Sequence, residues 1–496
     1  MMNKGKVWLV GAGPSDPGLF TLKGKSVLEG ADVVVYDQLV GQGILSMIPK
    51  EAKKIDVGKK AGNHKVDQED INKILLEEAL KGNKVVRLKG GDPFLFGRGG
   101  EELELLCEAK IPFEIVPGIT SAISVPAYAG IPVTHRDFSP SLHIITAHRK
   151  RGNYEPIDYD KLVALGEVTL VFLMGVSSLE TISNGLIKAG MNKDTPAAIL
   201  EKGTTSSQRR VVATIETLPL EATKASIGTP GIIVVGRVCS LAEKFHWAED
   251  RVLGGARIIV AKEKERASKL IEELHTLGAE VVELPFVETL AIEDNKNLHD
   301  KLHNYKWIVF TSKTSVEIFF DYLKEHRIDI RTLMDVSFLA LGSATKESLE
   351  DRGLLVDYMA EEYKGENLGK ALTHLAGKDE NILVFTKSDR EEPSVKALKE
   401  ENLSCDVIPL YTTVYEENDF LKLEQEDIAL FTSPSRVKGF VNTIKDMSCK
   451  NIKAVCMDEE TAKEARKHEM DVVLSDAASI ESLIDKTVEV YNSIKE

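Results

Sequence analysis

One stretch constrains this chain more than any other: Val85 to Glu102, VVRLKGGDPFLFGRGGEE. It opens with the β-branched pair Val85-Val86, the beginning of a buried strand. The run stops at Gly90-Gly91, where a backbone can turn sharply or let a ligand come close. Asp92 precedes Pro93, and a residue in that place is pushed out of the helical region. Five glycines fall within positions 90–100, with Asp92 and Arg98 among them, ahead of the acidic helix start Glu101-Glu102. Such a segment is poor core material. It suits a loop that wraps a ligand at the carboxyl end of a strand, although an ordinary glycine-rich strand-to-helix turn has the same composition.

The segments around it repeat the theme. Lys6 to Val10 is a strand that runs into Gly11-Ala12-Gly13-Pro14-Ser15-Asp16-Pro17-Gly18. A dinucleotide-binding turn needs glycine at position 16, where Asp16 stands. Pro14 and Pro17 also remove amide donors that a pyrophosphate would use. Asp37 closes the apolar strand from Ala31 to Tyr36, where a carboxylate is either catalytic or a helix cap. Lys59 and Lys60 lie in a basic loop after the next strand, near the same edge. Phe113 to Val116 leads into small and hydroxylated residues that include Thr120 and Ser121. His135 and Arg136 sit in a polar connector, Met174 ends the strand from Leu170, and Gly203 follows the strand Pro196 to Glu201.

At 496 residues the chain is long enough for three or four units of about 150 each. Residues 1–250 hold 30 basic and 30 acidic side chains, so the whole net charge of −15 lies in the second half. That asymmetry predicts two independent modules and excludes nucleic acid as the main partner. No run of 18 apolar residues is present, so no membrane span is expected. The opening MMNKGKVWLVGAG enters a strand directly and has no small-residue cleavage site, so no signal peptide is expected. Five cysteines without a CxxC pair predict a reducing, cytoplasmic location and no structural zinc. No metal-ligand cluster is evident.

Acids and glycines from Phe245 to Gly255 break the pattern and set a boundary, giving domains at 1–246 and 255–496 with a linker at 247–254. An internal repeat follows. The segment Trp307 to Val316, WIVFTSKTSV, is echoed by Ile428 to Val437, IALFTSPSRV, and the segment Leu339 to Glu347 weakly by Ala454 to Glu464. The repeat predicts two similar lobes, about 255–286 with 414–496, and 287–413. Leu284-Pro285 and Ile408-Pro409 each read as a strand end before an extended crossing. Thr311, Ser312, Ser343, Ser433 and Ser435 lie at predicted helix starts, which are ready anion sites; plain N-capping is the competing role.

Seven motifs in order carry a family resemblance: GAGPSDPGLFTLKG, VVRLKGGDPFLFGRGGEE, VPGITSA, GIPVTHRD, LVFLMG, EKGTTSSQR and GTPGIIVVGRV. Over about residues 5–245 the chain resembles the tetrapyrrole methylases, most of all uroporphyrinogen-III C-methyltransferases. The resemblance implies two α/β subdomains with S-adenosylmethionine held between them. It implies cofactor contacts at Pro14, Gly90, Gly91, Asp92, Leu95, Thr120, Ser121, Met174 and Gly203. It places Asp37 as proton acceptor and Lys59 as proton donor, with Arg98, Glu101, His135 and Arg136 around the substrate. A homodimer through this half is a further expectation of the resemblance.

The second half resembles uroporphyrinogen-III synthase through FTSKTSVEIF, ALGSATKESL, YTT and FTSPSRVKGF. That implies a two-lobed α/β enzyme without a cofactor, with Tyr411 assisting departure of the hydroxyl from hydroxymethylbilane. Ala261-Lys262 stands where many members carry arginine, which keeps the charge and loses the bidentate fork. The expected whole is a bifunctional enzyme. It cyclises hydroxymethylbilane to uroporphyrinogen III, then methylates the product twice to precorrin-2. The alternative is a methylase for another precorrin, with a non-catalytic two-lobed module behind it.

Overall fold

The computed structural model describes residues 4–58, 66–147, 157–263, 269–291, 298, 302–360, 372, 374–375, 380–387, 393–401, 403–415, 421–424, 426–444, 448–450 and 452–495. The chain forms two compact units, Met1–Leu284 with Glu417–Glu496, and Pro285–Glu416.

The first unit begins with β1 (Lys6–Gly11), β2 (Val33–Tyr36), β3 (Lys53–Asp56), β4 (Lys84–Lys89) and β5 (Phe113–Val116), in the order β3-β2-β4-β1-β5. Every pairing is parallel. Parallel strands need helical crossovers, which cover both faces and make the strands near-continuous apolar runs. Val7, Leu9, Val33, Val35 and Val85 pack under the helices Gln68–Leu80 and Gly99–Glu108. Val10, Val34, Val86 and Leu88 pack on the opposite face with Leu28 of the helix Leu22–Glu29. Thr21 caps that helix by accepting from the Gly24 amide.

A second sheet holds β6 (Ser141–Thr146), β7 (Val168–Leu173), β8 (Pro196–Glu201), β9 (Arg209–Thr214) and β10 (Gly231–Val235), in the order β6-β7-β10-β8-β9. Only β6–β7 is parallel there. One face packs against the helix Ser121–Tyr128 through Ala122 and Val125. Residues 247–254, read as a linker, are packed. The Trp247 indole donates to the Ala127 carbonyl at 2.9 Å, and Arg251 donates to the carbonyls of His275 and Thr276.

The C-terminal half contributes β11 (Arg257–Glu263), β12 (Glu280–Ala291), β13 (Trp307–Phe310), β14 (Ser337–Leu341), β15 (Tyr358–Ala360), β16 (Ile382–Lys387), β17 (Cys405–Tyr415), β18 (Ile428–Phe431), β19 (Lys453–Cys456) and β20 (Asp471–Leu474). In the second unit β13, β14 and β15 form a parallel trio. In the first unit β18, β19 and β20 form another. The sequence repeat is therefore one supersecondary block used twice. The two prolines do not end their strands: β12 runs through Pro285 and β17 through Pro409. A proline lacks only its own amide, and β17 changes partners at this point. It pairs parallel with β16 up to Pro409 and Tyr411, and antiparallel with β12 from Tyr411 to Tyr415.

Candidate functional site

The glycine loops of the first half are zipped together. Gly91 donates to the Gly13 carbonyl at 2.7 Å, and Gly13 donates to that of Gly91 at 3.1 Å. Both have positive φ, +69° at Gly91 and +73° at Gly13. A Cβ on Gly118 would lie 2.2 Å from the Gly91 oxygen, so β1, β4 and β5 converge only because all three ends are bare backbone. A Cβ on Gly91 would meet nothing within 4 Å. The cradle is thus closed behind and open on one side, the geometry a ligand needs for close backbone approach.

Asp92 ties this cradle. One carboxylate oxygen accepts from the amides of Phe94 and Leu95, at 2.8 and 3.0 Å, and the other from Gly118 at 3.1 Å. Leu95 packs against the Ala122 and Val125 cluster. Thr120 caps the helix that starts at Ser121. Opposite stands the loop 202–208. The Thr204 hydroxyl donates to the Pro14 carbonyl at 3.0 Å, and Gln208 donates to the Tyr128 carbonyl at 3.3 Å. A Cβ on Gly203 would lie 2.2 Å from a Val125 methyl, so only glycine fits. Pro14, Gly90, Gly91, Asp92, Leu95, Thr120, Ser121 and Gly203 therefore share one neighbourhood. These residues suit a group held by backbone. Met174 directly follows β7, with φ +56° and half its surface exposed. Such strain at a non-glycine residue is typical of working sites.

Asp37 sits at the end of β2, beside the cradle: a Cβ on Gly90 would meet Leu39, two residues on. Its carboxylate accepts from the Leu39 amide at 3.1 Å and from Arg87 at 3.3 Å. Arg87, on the neighbouring β4, is buried and was not among the sequence candidates. It also donates to Glu102 at 3.2 Å and to the Leu88 carbonyl at 2.9 Å. Glu102 is fully buried and receives Lys89 at 2.7 Å on the same oxygen. Burial, and then the Arg87 charge, push the Lys89 ammonium below its ordinary pKa. The signal was present in the sequence: two cations inside a strand that otherwise reads as core. Fully buried charges persist only when paired.

Arg98 has φ +57° and forms a two-pronged ion pair with Glu101, at 2.9 and 2.6 Å, with both side chains about half exposed. The structure thus ties two substrate candidates to each other. His135 and Arg136 belong to a separate turn. There His135 bridges to Ser139 and stacks on Phe138 at 4.8 Å, while Arg136 is exposed. Lys59 lies outside the described residues.

In the second unit the structure joins two candidates directly. The hydroxyls of Ser312 and Tyr411 are 3.0 Å apart. Ser312 also caps the helix Lys313–Glu325 in a reciprocal box with Ser315, and Thr311 donates to the Phe385 carbonyl at 2.9 Å. The pairing of β16 with β17 slips by one residue at Leu410. That bulge sends Leu410 and Tyr411 toward the same apolar cluster, where a regular strand would oppose them. Ser343 is exposed in the first turn of Ser343–Glu350, behind Gly342. In the first unit the hydroxyls of Ser433 and Ser435 are 2.9 Å apart at the start of Pro434–Ile444. No group of three or more metal-ligating side chains occurs among the described residues.

Two α/β sheets joined around a backbone cradle, followed by a duplicated parallel block, define a two-module α/β protein. Residues 6–219 match the model of the tetrapyrrole (corrin/porphyrin) methylases, and residues 268–485 match uroporphyrinogen-III synthase HemD. A porphyrin biosynthesis protein HemD of Ruminiclostridium josui is 46% identical over 99% of both chains. The uroporphyrinogen-III C-methyltransferase of Bacillus subtilis is 41% identical over 72% of this chain and 73% of its own. A solved uroporphyrin III C-methyltransferase of Thermus thermophilus is 38% identical, covers 48% of this chain and 99% of its own, and has a TM-score of 0.41. The chain belongs to the tetrapyrrole methylase family, with a uroporphyrinogen-III synthase module in the same polypeptide.

Proposed function

We propose that the chain performs two successive reactions. The C-terminal half closes hydroxymethylbilane to uroporphyrinogen III, and the N-terminal half methylates that macrocycle twice, giving precorrin-2. The reading rests on one arrangement above all: Asp37, anchored by Arg87, beside a glycine cradle open at Gly91. S-adenosylmethionine supplies an electrophilic methyl group. Pro14, Gly90, Gly91, Asp92, Leu95, Thr120, Ser121, Met174 and Gly203 would hold it and fix its position beside the substrate. Asp37 then accepts the proton that the substrate releases, and Lys59 acts as donor. Arg98, Glu101, His135 and Arg136 line the substrate cleft, where the arginines meet the substrate carboxylates.

In the synthase half Tyr411 assists departure of the bilane hydroxyl, with Ser312 fixing its phenol. Thr311, Ser343, Ser433 and Ser435 meet the acidic side arms. This half uses no cofactor, and neither half uses a metal. Action in the cytoplasm and a homodimer through the methylase half complete the reading. Among the described residues no helix is long and apolar enough to cross a membrane. The test is incubation of the whole chain with hydroxymethylbilane and S-adenosylmethionine, followed by product mass. A dimethylated type III macrocycle is expected. Uncyclised bilane, or no methyl transfer to supplied uroporphyrinogen III, overturns it and favours a methylase for another precorrin with a binding module.

A further inference from the structure

The loop 202–208 is held in an unfavourable shape. Lys202 has φ +46° and Thr204 has φ +68°, left-handed values that side chains with a Cβ rarely adopt. Such conformations persist only where surrounding contacts enforce them. From within the loop, Thr205 donates its hydroxyl to the Lys202 carbonyl at 2.7 Å, and Gln208 accepts from the Thr204 amide at 2.8 Å. Within the methylase half, Thr204 bonds Pro14, Gln208 bonds Tyr128, and the Lys202 amide donates to the Pro230 carbonyl at 2.9 Å. Further anchors come from the other half of the polypeptide. Glu280, on β12, accepts from both the amide and the hydroxyl of Ser206, at 2.7 and 2.8 Å, on one carboxylate oxygen. Glu424 accepts from the Ser207 hydroxyl at 3.3 Å.

Glu280 is itself fixed. Its amide donates to the Ala256 carbonyl at 2.9 Å, and Arg257 stands 3.8 Å from its second oxygen. Arg257 is buried and clamps Asp427 with two contacts of 2.7 Å. Its other nitrogen donates at 2.8 Å to Gln42, which opens the short helix after the Asp37 turn. The synthase module thus reaches the methylase module at two places. One is the loop that carries Gly203 and bonds Pro14; the other is the segment behind Asp37. Charged groups bonding neutral amides and hydroxyls are the stronger class of hydrogen bond, so these anchors suit the task.

We infer that Glu280 and Arg257 are positioning residues of the methyl-transfer site: the synthase module sets the shape of the loop that closes on S-adenosylmethionine. Methyl transfer in this chain therefore depends on side chains outside the methylase module. The inference rests on the placing of the cofactor at Pro14, Gly91 and Gly203.

The test uses the full chain with Glu280→Ala and Glu280→Gln. S-adenosylmethionine affinity is read by calorimetry, methyl transfer by rate, and hydroxymethylbilane cyclisation as the internal measure of the C-terminal fold. Glu280→Ala is expected to weaken S-adenosylmethionine binding by on the order of tenfold, the size of coupling typical of residues that contact neither ligand. Cyclisation is expected to stay near normal. Glu280→Gln keeps an acceptor oxygen for Ser206 and is expected to restore most of the affinity. Unchanged affinity in Glu280→Ala overturns the inference, and so does a parallel loss of binding and cyclisation, which marks general destabilisation. Gly203→Val separates this from the site assignment: if it binds S-adenosylmethionine normally, the cofactor placing is wrong. If it abolishes binding while Glu280→Ala does not weaken it, the placing stands and the positioning role falls.

Discussion

Replacing Arg87 with methionine probes the buried charge cluster beneath the proposed base. The side chain is 4% exposed and links Asp37 to Glu102, which is itself fully buried. Methionine fills much of the volume and cannot donate. Removing one member of a buried pair typically costs about 3–5 kcal/mol, because the other charge stays behind in a low dielectric. Here Glu102 keeps Lys89 at 2.7 Å and Gln68 at 3.2 Å, and Asp37 is 26% exposed and can be hydrated. The lower end, about 3 kcal/mol, is therefore expected. For a unit of about 360 residues that is a fall in Tm of about 4 °C. Methyl transfer should fall far more than affinity for S-adenosylmethionine, since Asp37 loses the group that orients it. Cyclisation should be spared. Adding Glu102→Gln should lower the stability further, because it strands the buried Lys89 ammonium, and should recover none of the methyl transfer. If Arg87→Met unfolds within 1 °C of the wild type and methylates normally, the cluster is incidental and the anchoring of Asp37 is refuted.

Asp92→Ala should lose S-adenosylmethionine binding together with local order, since three backbone amides lose a charged acceptor worth about 1.5–3 kcal/mol each; calorimetry with amide hydrogen exchange at Phe94, Leu95 and Gly118 checks both. Tyr411→Phe removes one hydroxyl pair to Ser312 and should slow cyclisation while sparing methylation of supplied uroporphyrinogen III; normal cyclisation removes Tyr411 from the reaction. Arg98→Lys keeps an exposed pair to Glu101 worth only about 0–1 kcal/mol, so stability should not change, whereas a carboxylate clamp on the substrate would be lost. Wild-type methylation rates in that variant would make the pair with Glu101 the whole role of Arg98. The Glu114 carboxyl is held down to about 2, chiefly by Lys23 and then by Lys6, against an ordinary value of 4.5. The stability it supplies is present above pH 4.5 and lost as the pH falls toward 2. The stability gap to Glu114→Gln should close over that range; a gap that does not vary with pH contradicts the assignment.

Much of this was legible in the residues because glycine and proline mark backbone needs that no packing can hide. The turn at Gly90-Gly91 read as a ligand loop from the residues alone, and the repeat of FTS at Thr311 and Thr432 announced the duplicated block. The topology of the second sheet was less visible. Strands such as β8 and β10 are apolar on both faces, and a buried run reads the same whether its neighbour is parallel or antiparallel. Pro285 and Pro409 looked like strand ends since proline removes a ladder donor; the switch of pairing partners lets the strands continue. Arg87 carried a visible signal, a cation inside an apolar strand, whereas Glu280 escaped because its importance comes from a partner far away in sequence. Glu280 meets Ser206 across 74 residues, and no local pattern records that.

The pairing of β11 with β18 sets an order on the birth of the molecule. Ile258 lies beside Ile428, and Arg257 must wait 170 residues for Asp427. At about 5–20 residues per second, the ribosome delivers that partner roughly 10–30 s later. Throughout that interval the strand carrying a buried arginine has β12 on one side and an open edge on the other, while the intervening Pro285–Glu416 unit emerges in one piece and can fold first. A chaperone that shields a nascent edge would have its longest task at residues 257–263. Truncations ending before residue 428 should aggregate more readily than any cut placed beyond it.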